Sequence, residues 1–255
     1  MYMIAHLSDS HLDGGDAARS RFERVMAYLD NLPTPVDLLI LTGDLVEGGA
    51  VAEYQVIAEA VAGNTPALFC PGNSDPRDPF RAALLSRQTA HDAPAAAPVN
   101  SARTFGALTV IMLDSSVPGQ YHGALDAETI DWLDAMLAEM PGDMPVLIGM
   151  HHPPVELGHP GVDQLRLLDA APLAATLQRY PNVAAVLVGH THTATATTFA
   201  GRPLLVAPGI HSSLRLPWEK AAPGQSLLDE TASPALAIHL LHDDARITTY
   251  YRTIG

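Results

Sequence analysis

The sequence predicts an α/β fold built as a single domain. Short apolar runs rich in Val, Leu and Ile alternate with longer stretches of helical period from Met3 to Val188. Most of those runs end in Gly, Asp, Asn or His, residue types that turn a chain or hold a ligand. The chain has 255 residues, 47% of them hydrophobic, enough to bury one sizeable core, and α/β chains of this length are often single domains. The expected division is a motif-bearing core over 1–207 and a C-terminal loop with a closing hairpin over 208–255.

Met3 to Leu7 reads as the first strand and leads into Ser8-Asp9-Ser10-His11. Ala18 to Leu32 has helical period, with Phe22, Val25, Met26 and Leu29 on one face, and Pro33 and Pro35 end it. Val36 to Thr42 is a second strand, closed by Gly43-Asp44. Val51 to Ala62 is a second helix, and Pro66 to Cys70 a third strand closed by Pro71-Gly72-Asn73-Ser74-Asp75. Arg77 to Asn100 is less regular, and its Ala/Pro segment, Ala93 to Val99, reads as a surface loop. Phe105 to Leu113 is strand-like and ends at Asp114. Ala127 to Met140 is an amphipathic helix with Ile130, Leu133, Met136 and Leu137 inward. Pro145 to Met150 is a strand ending at His151-His152-Pro153-Pro154, and Leu165 to Tyr180 reads mostly as helix. Val183 to Val188 is a buried strand that Gly189 turns into His190-Thr191-His192. Thr193 to Phe199 and Pro203 to Ala207 then read as strands, and Ile210 to Ser233 as a long loop. Ala235 to Leu241 and Arg246 to Ile254 form the closing hairpin.

Charge narrows the function. A net charge of -14 argues against nucleic acid as a partner, because phosphate neutralisation needs a basic surface. Some of the acid can sit at a cation site. The N-terminus has no basic n-region with a long apolar stretch, and no apolar run is long enough for a bilayer, so no membrane is expected. The one cysteine, Cys70, ends an apolar run and reads as a buried small hydrophobe. A chain that forms no internal disulfide fits a reducing, cytoplasmic compartment.

The candidate ligands are Asp9, His11, Asp44, Asn73, His151 or His152, His190 and His192, each just past a predicted strand. In open α/β sheets ligands bind at that edge. Residues two apart on an extended segment face one side, which would bring His190 and His192 together. Alone, that pair fits loop histidines as well as a metal site; the other strand ends favour the metal. Mixed nitrogen and oxygen ligation admits Fe, Mn, Zn or Co.

The ordered motifs Asp9-Ser10-His11, Gly43-Asp44, Gly72-Asn73, His151-His152-Pro153-Pro154 and Gly189-His190-Thr191-His192 resemble the calcineurin-like metallophosphoesterases. Their His-His-Pro-Pro and Gly-His-Thr-His forms resemble the bacterial class III cyclic-nucleotide and glycerophosphodiester phosphodiesterases. The resemblance implies a four-layer sandwich, two mixed sheets face to face with helices outside. It implies two divalent or trivalent transition metals. The first would take Asp9, His11 and His192; the second Asn73, His151 and His190; Asp44 would bridge them. Two cations neutralise an anionic diester and make a bridging water acidic enough to give hydroxide at neutral pH. The implied substrate is a small phosphodiester of the 3',5'-cyclic nucleotide or glycerophosphodiester type, and a homodimer is implied on the same ground. A phosphomonoesterase or phosphonate-ester hydrolase with the same metals is the alternative within enzymes. A catalytically weak protein-interaction scaffold is the alternative outside them.

His151 and His152 face opposite sides if the segment is extended, and the family pattern assigns the metal to His151. His152 then orients a ligand or touches substrate, or simply packs beside Pro153. The family has His after the Asn of the third motif, where this chain has Ser74. That histidine stabilises the transition state or protonates the leaving group in relatives. Serine is a poor proton donor at neutral pH but can hydrogen-bond a phosphoryl oxygen. His122, His159 and His211 are candidates to take over, and Arg215, Arg77 and Arg81 are candidate phosphate contacts. Asp44, Asn73, Ser74, His152, His122 and His211 are thus the candidate catalytic residues.

Overall fold

The structure, a computed structural model, describes residues 1–63, 65–85, 97–219 and 224–255. In chain order the first elements are β1 (Tyr2–Leu7), α1 (Asp16–Asp30), β2 (Leu38–Thr42), α2 (Val51–Ala60), β3 (Ala67–Cys70) and the short α3 (Arg77–Phe80). Next come β4 (Ser101–Phe105), β5 (Leu108–Met112), α4 (Ala127–Ala138), β6 (Val146–Gly149), α5 (Ala171–Arg179) and β7 (Val183–Val188). The last are β8 (Thr195–Phe199), β9 (Arg202–Val206), β10 (Ser213–Leu214), β11 (Leu228–Asp229), β12 (Ala235–Leu241) and β13 (Ile247–Thr253).

Two mixed sheets form the centre. One has the order β13-β12-β1-β2-β3, the other β4-β5-β6-β7-β9-β8. The strands that precede the motifs run parallel within each sheet, so their C-terminal ends reach one edge. Hydrophobic residues on both faces of each sheet sort into three layers. Ile4, Leu38, Ile40 and Leu68 of the first sheet meet Val110, Met112, Leu147 and Leu187 of the second. Phe22, Val25 and Leu29 of α1 cover the outer face of the first sheet, with Tyr54 and Ile57 of α2. Leu133 and Leu137 of α4 cover the second, with Leu173 and Leu177 of α5. This is the four-layer sandwich, and both burial faces explain why the parallel strands read as unbroken apolar runs.

Three expectations are corrected. The strand expected over Phe105 to Leu113 is the second arm of a hairpin, β4 and β5, that turns at Gly106 with φ +57°. The first arm, Ser101–Phe105, has no buried residue, so it lacks the apolar signal. The helix expected over Leu165 to Tyr180 begins only at Ala171, with Pro172 in its first turn. Leu165 closes a 3-10 turn over Asp163–Leu165, and the chain then extends at Arg166 so that Leu167 bridges Gly123. The loop expected over Ile210 to Ser233 contains the β10–β11 pair. The closing hairpin forms as β12 and β13, and β12 pairs antiparallel with β1. Ala93 to Ala96 of the expected surface loop lie outside the described residues.

Candidate metal centre

Five of the candidate residues leave their strands on left-handed backbone: Asp9 (φ 55°), His11 (42°), Asp44 (47°), His190 (71°) and His192 (52°). Asp and His tolerate this region better than most residues, yet it is uncommon and must be held by its surroundings. Asp9 N–H donates to Gly43 O and His11 N–H to Asp44 O, each at 3.0 Å, and this locks the first two turns together. Gly43 and Gly72 let them approach. A Cβ on Gly43 would lie 2.5 Å from Gly72 N and 2.8 Å from His151 Nδ1.

The turns correct the reasoning that joined His190 to His192. The segment is not extended, and the two rings serve different neighbours. His190 Nδ1 lies 3.1 Å from His151 Nε2, and His192 Nε2 lies 3.2 Å from His11 Nε2. Asp44 sits between the groups, its Oδ2 3.6 Å from His11 Nε2 and 3.4 Å from His151 Nε2. Asp9 Oδ1 lies 3.6 Å from His192 Nε2. Asp9, His11 and His192 thus form one cluster of potential ligands, and His151 and His190 stand in another beside Asp44.

Three rings are anchored from behind. His11 Nδ1 meets Glu47 Oε2 at 2.6 Å, His151 Nδ1 meets the Thr42 carbonyl at 2.6 Å, and His192 Nδ1 meets Ser212 Oγ at 2.7 Å. Each bond turns the Nε2 toward the centre. Glu47, Thr42 and Ser212 were not legible as site residues. Glu47 alone left a trace, a carboxylate three residues after Asp44.

His152 is buried beside His151, and a third geometric cluster includes it with His151 and His190. Its nitrogens are both occupied, Nδ1 by Ser115 Oγ at 2.8 Å and Nε2 by the Tyr121 carbonyl at 3.2 Å. Of the two, His151 is the one that turns a nitrogen toward Asp44. Ser74 is folded back: its N–H donates to Asp44 Oδ1 at 2.8 Å, and its one hydroxyl proton is shared between Asp44 Oδ1 at 3.0 Å and the Val46 carbonyl at 2.7 Å. His211 stands at the mouth, its ring 5.5 Å from that of His11, its backbone N–H donating to Asp9 O. His122 is half-buried with no hydrogen bond among the described residues, and His159 instead faces the Arg215 carbonyl. The cations are committed elsewhere: Arg77 to Asp114, Arg81 to the Ala97 carbonyl and Arg215 to Asp229.

Charge is divided unevenly. Burial alone would lower His11 and His151, but Glu47 and Asp44 raise His11 to about 9, and Asp44 raises His151 to about 9. Burial, then their charged neighbours His151 and His11, lower His190 and His192 to about 3. Burial raises Asp9 to about 6. Burial would raise Asp44 too, but His151 and His11 outweigh it and hold it well below the usual carboxylate range. Without a metal, two buried carboxylates are therefore neutralised by protons on two imidazoles. Two other imidazoles stay neutral with lone pairs available. Asn73 Oδ1 is buried with no hydrogen-bond partner among the described residues. Neutral imidazoles, carboxylates and an unpartnered amide oxygen are the donor set of a transition-metal site, so these residues fit such ions.

A family model for calcineurin-like phosphoesterases matches residues 2–194. The chain belongs to the calcineurin-like phosphoesterase family. It is 36% identical to a probable cyclic nucleotide phosphodiesterase of Rhodococcus erythropolis, over 81% of this chain and 70% of that one. It is 34% identical to a cAMP/cGMP dual specificity phosphodiesterase of Mycobacterium tuberculosis, over 81% and 66%. A glycerophosphodiester phosphodiesterase of Enterobacter lignolyticus is 30% identical over 81% and 76%. The matches thus span about two thirds to three quarters of those relatives. The fold matches that of a dimetal phosphatase from Danio rerio, with a TM-score of 0.69 at 15% identity, over 100% of this chain and 96% of that one. As a member of this family the chain is a metallophosphoesterase, a hydrolase of phosphoesters with His and Asp residues able to bind metal. Among the described residues no helix is long and apolar enough to cross a membrane.

Proposed function

We propose that this phosphoesterase hydrolyses small phosphodiesters with two transition-metal ions. The observation that carries this is the convergence of imidazole nitrogens and carboxylate oxygens on Asp44 from strands of both sheets. Asp9, His11 and His192 would hold one ion, Asn73, His151 and His190 the other, and Asp44 both. Bound there, the ions would supply positive charge for a phosphodiester anion and make a water more acidic. The chain's own residues do the rest. Glu47, Thr42 and Ser212 keep three imidazoles in the tautomer and orientation that present Nε2. The Ser74 N–H and hydroxyl hold Asp44 Oδ1, which leaves Oδ2 toward the imidazoles. His211, whose ring lies 5.5 Å from that of His11, would meet a phosphoryl or leaving-group oxygen.

A cavity of about 550 Å³ opens beside Asn73, between Gly72–Pro79 and Ser116–Gly119. That size holds a small-molecule alcohol. Its polar side chains are largely spoken for: Arg77 and Ser116 bind Asp114, Ser74 binds Asp44, and Asp75 takes the N–H groups of Leu45, Val46 and Gly72. Pro76, Pro79, Val117 and Pro118 give apolar wall, and the exposed Asp78 carboxylate and the unpartnered Asn73 Oδ1 stand among them. An apolar wall beside free polar groups suits the alcohol side of a cyclic nucleotide and of a glycerophosphodiester alike. Metal analysis with a panel of bis-p-nitrophenyl phosphate, p-nitrophenyl phosphate, cyclic AMP and a glycerophosphodiester tests the reading. Two metals per chain with turnover of diesters above monoesters is the expected result. Preference for the monoester would make it a phosphomonoesterase; absence of stoichiometric metal or of turnover would make it a scaffold.

A further inference from the structure

Two histidines outside the metal centre are fully buried between the sheets. His6 shares its face of β1 with Ile4, and the surrounding layer is Leu38, Ile40, Leu68, Met112 and Leu241. Packing alone would be served by Leu or Phe, because a buried imidazole must be hydrogen-bonded to avoid a penalty of about 1–3 kcal/mol. Both are bonded, and in series. Thr249 Oγ lies 2.8 Å from His239 Nδ1, and His239 Nε2 lies 3.1 Å from His6 Nδ1. His6 Nε2 lies 2.9 Å from Thr42 Oγ, Thr42 Oγ lies 3.0 Å from Ser8 Oγ, and Ser8 Oγ lies 3.2 Å from the Thr42 carbonyl.

Proton counting fixes the direction. Burial lowers His239 to about 3 and, with His239 beside it, lowers His6 well below its ordinary value, so each ring is neutral with one N–H. A carbonyl only accepts, so the Ser8 hydroxyl donates to Thr42 O, with the Asp9 carboxylate as a second acceptor of the same proton. The Thr42 hydroxyl must then donate to Ser8. His6 donates from Nε2 to Thr42, His239 from Nε2 to His6, and Thr249 to His239. Only this assignment puts a proton in every bond. The chain ends on the carbonyl that receives His151 Nδ1–H at 2.6 Å.

We propose that His6 and His239 are positioning residues for the hydrolytic centre, acting through Thr42 and Ser8 on the His151 imidazole. The proposal rests on the reading of His151 as a ligand, and its physical basis is that the hydrogen bond at one ring nitrogen decides what the other presents. The relay pins the side chain of Thr42 and one lone pair of its carbonyl, and leaves the other lone pair aimed at His151. The line runs from the partly exposed Thr249 on β13 to the turn that delivers Asp44.

The test uses the full chain and three variants: His239→Phe, His239→Gln and Leu241→Ala. Gln carries an amide donor at about the reach of Nε2. Leu241→Ala damages the same layer without touching the relay. Zn²⁺ titration is expected to give roughly 10-fold weaker uptake in His239→Phe, the lower end of what loss of an outer partner costs. His239→Gln should return to within about threefold of the parent, and Leu241→Ala should lower Tm with Zn²⁺ affinity unchanged. Thr249→Val, at the outer end, is the substitute if His239→Phe does not fold, with the same sign and a smaller effect. Equal Zn²⁺ losses in His239→Phe and Leu241→Ala, or no loss in His239→Phe, would overturn the proposal. If the parent protein takes up no Zn²⁺, the metal reading fails, and the relay is judged by NMR on the metal-free chain. There the His151 Nδ1–H should exchange with solvent about 10-fold faster in His239→Phe than in the parent; an unchanged rate overturns the relay as well.

Discussion

The histidines of the rim and the histidines between the sheets solve opposite problems. His6 and His239 are saturated: all four ring nitrogens have partners, and the protons run in one direction. At the rim, His151 and His190, and likewise His11 and His192, point ring nitrogens at each other 3.1–3.2 Å apart around two carboxylates. That arrangement is balanced only by extra positive charge, whether from protons or from a metal. Histidine content therefore does not locate a site. The crowding of ring nitrogens onto carboxylates does, with Asn73 Oδ1 unpartnered beside them.

Removing the shared carboxylate breaks that difference most severely. Asp44→Ala should abolish measurable diester hydrolysis and lower metal content from about two ions per chain toward none, because both halves of the rim lean on Asp44. Elemental analysis that still finds two ions would show that Asp44 is not shared.

Ser74 resembles the saturated pair more than the rim, since its hydroxyl is spent on Asp44 and the Val46 carbonyl. It should not protonate a leaving group. General acid catalysis contributes roughly 10²- to 10⁴-fold, most of it for poor leaving groups. Turnover across aryl and alkyl diesters should fall steeply with leaving-group pKa, and Ser74→His should help alkyl diesters more than aryl ones. A flat dependence with chemistry rate-limiting would mean that another acid serves, and His122→Ala and His211→Ala would then identify it.

His151 and His152 adjoin in sequence but divide in the same way as the two groups. His152 has both nitrogens occupied, while His151 turns one inward. His151→Ala should weaken metal binding by roughly 100-fold or more, and His152→Ala by less than about 10-fold. Metal titration of both variants decides, and a larger loss at His152 would reverse the assignment.

The smallest effect separates the groups by pH. His239 has a lowered pKa, about 3 in the folded protein against an ordinary 6.5, so its contribution is intact above 6.5. Stability is lost as pH falls from there toward 3, at up to about 1.4 kcal/mol per pH unit per ring. His11 and His151, raised to about 9, act in the opposite sense in metal-free protein: their contribution is full below 6.5 and is lost as pH rises through 9. Urea unfolding between pH 4 and pH 9 should therefore show a flatter acid limb in His239→Phe and an unchanged alkaline limb. Parallel curves for the two proteins would mean that the pair is not buried neutral.

The sequence alone determined the alternating fold and the residue types at the strand ends. Apolar periodicity is a local property, and a Gly, Asp, Asn or His that closes a buried run is visible without knowing what lies across from it. The motifs from Asp9 to His192 were legible for that reason. Their grouping was not legible in the residues themselves; only the family resemblance implied one. His11 meets His192 across 181 positions, and His190 parts from His192 because the backbone turns left-handed at both. The retreat of Ser74 into Asp44, the engagement of His152 by Ser115 and the half-buried strand Ser101–Phe105 depend equally on neighbours remote in the chain or on solvent. His6 and His239, 233 positions apart, carry no sequence signal. Each stands in an apolar strand, and only the pairing of β1 with β12 brings them within one hydrogen bond. Periodicity fixes which residues turn inward, but sheet order and packing decide what they meet there, and that choice separates a saturated histidine from one that needs a ligand.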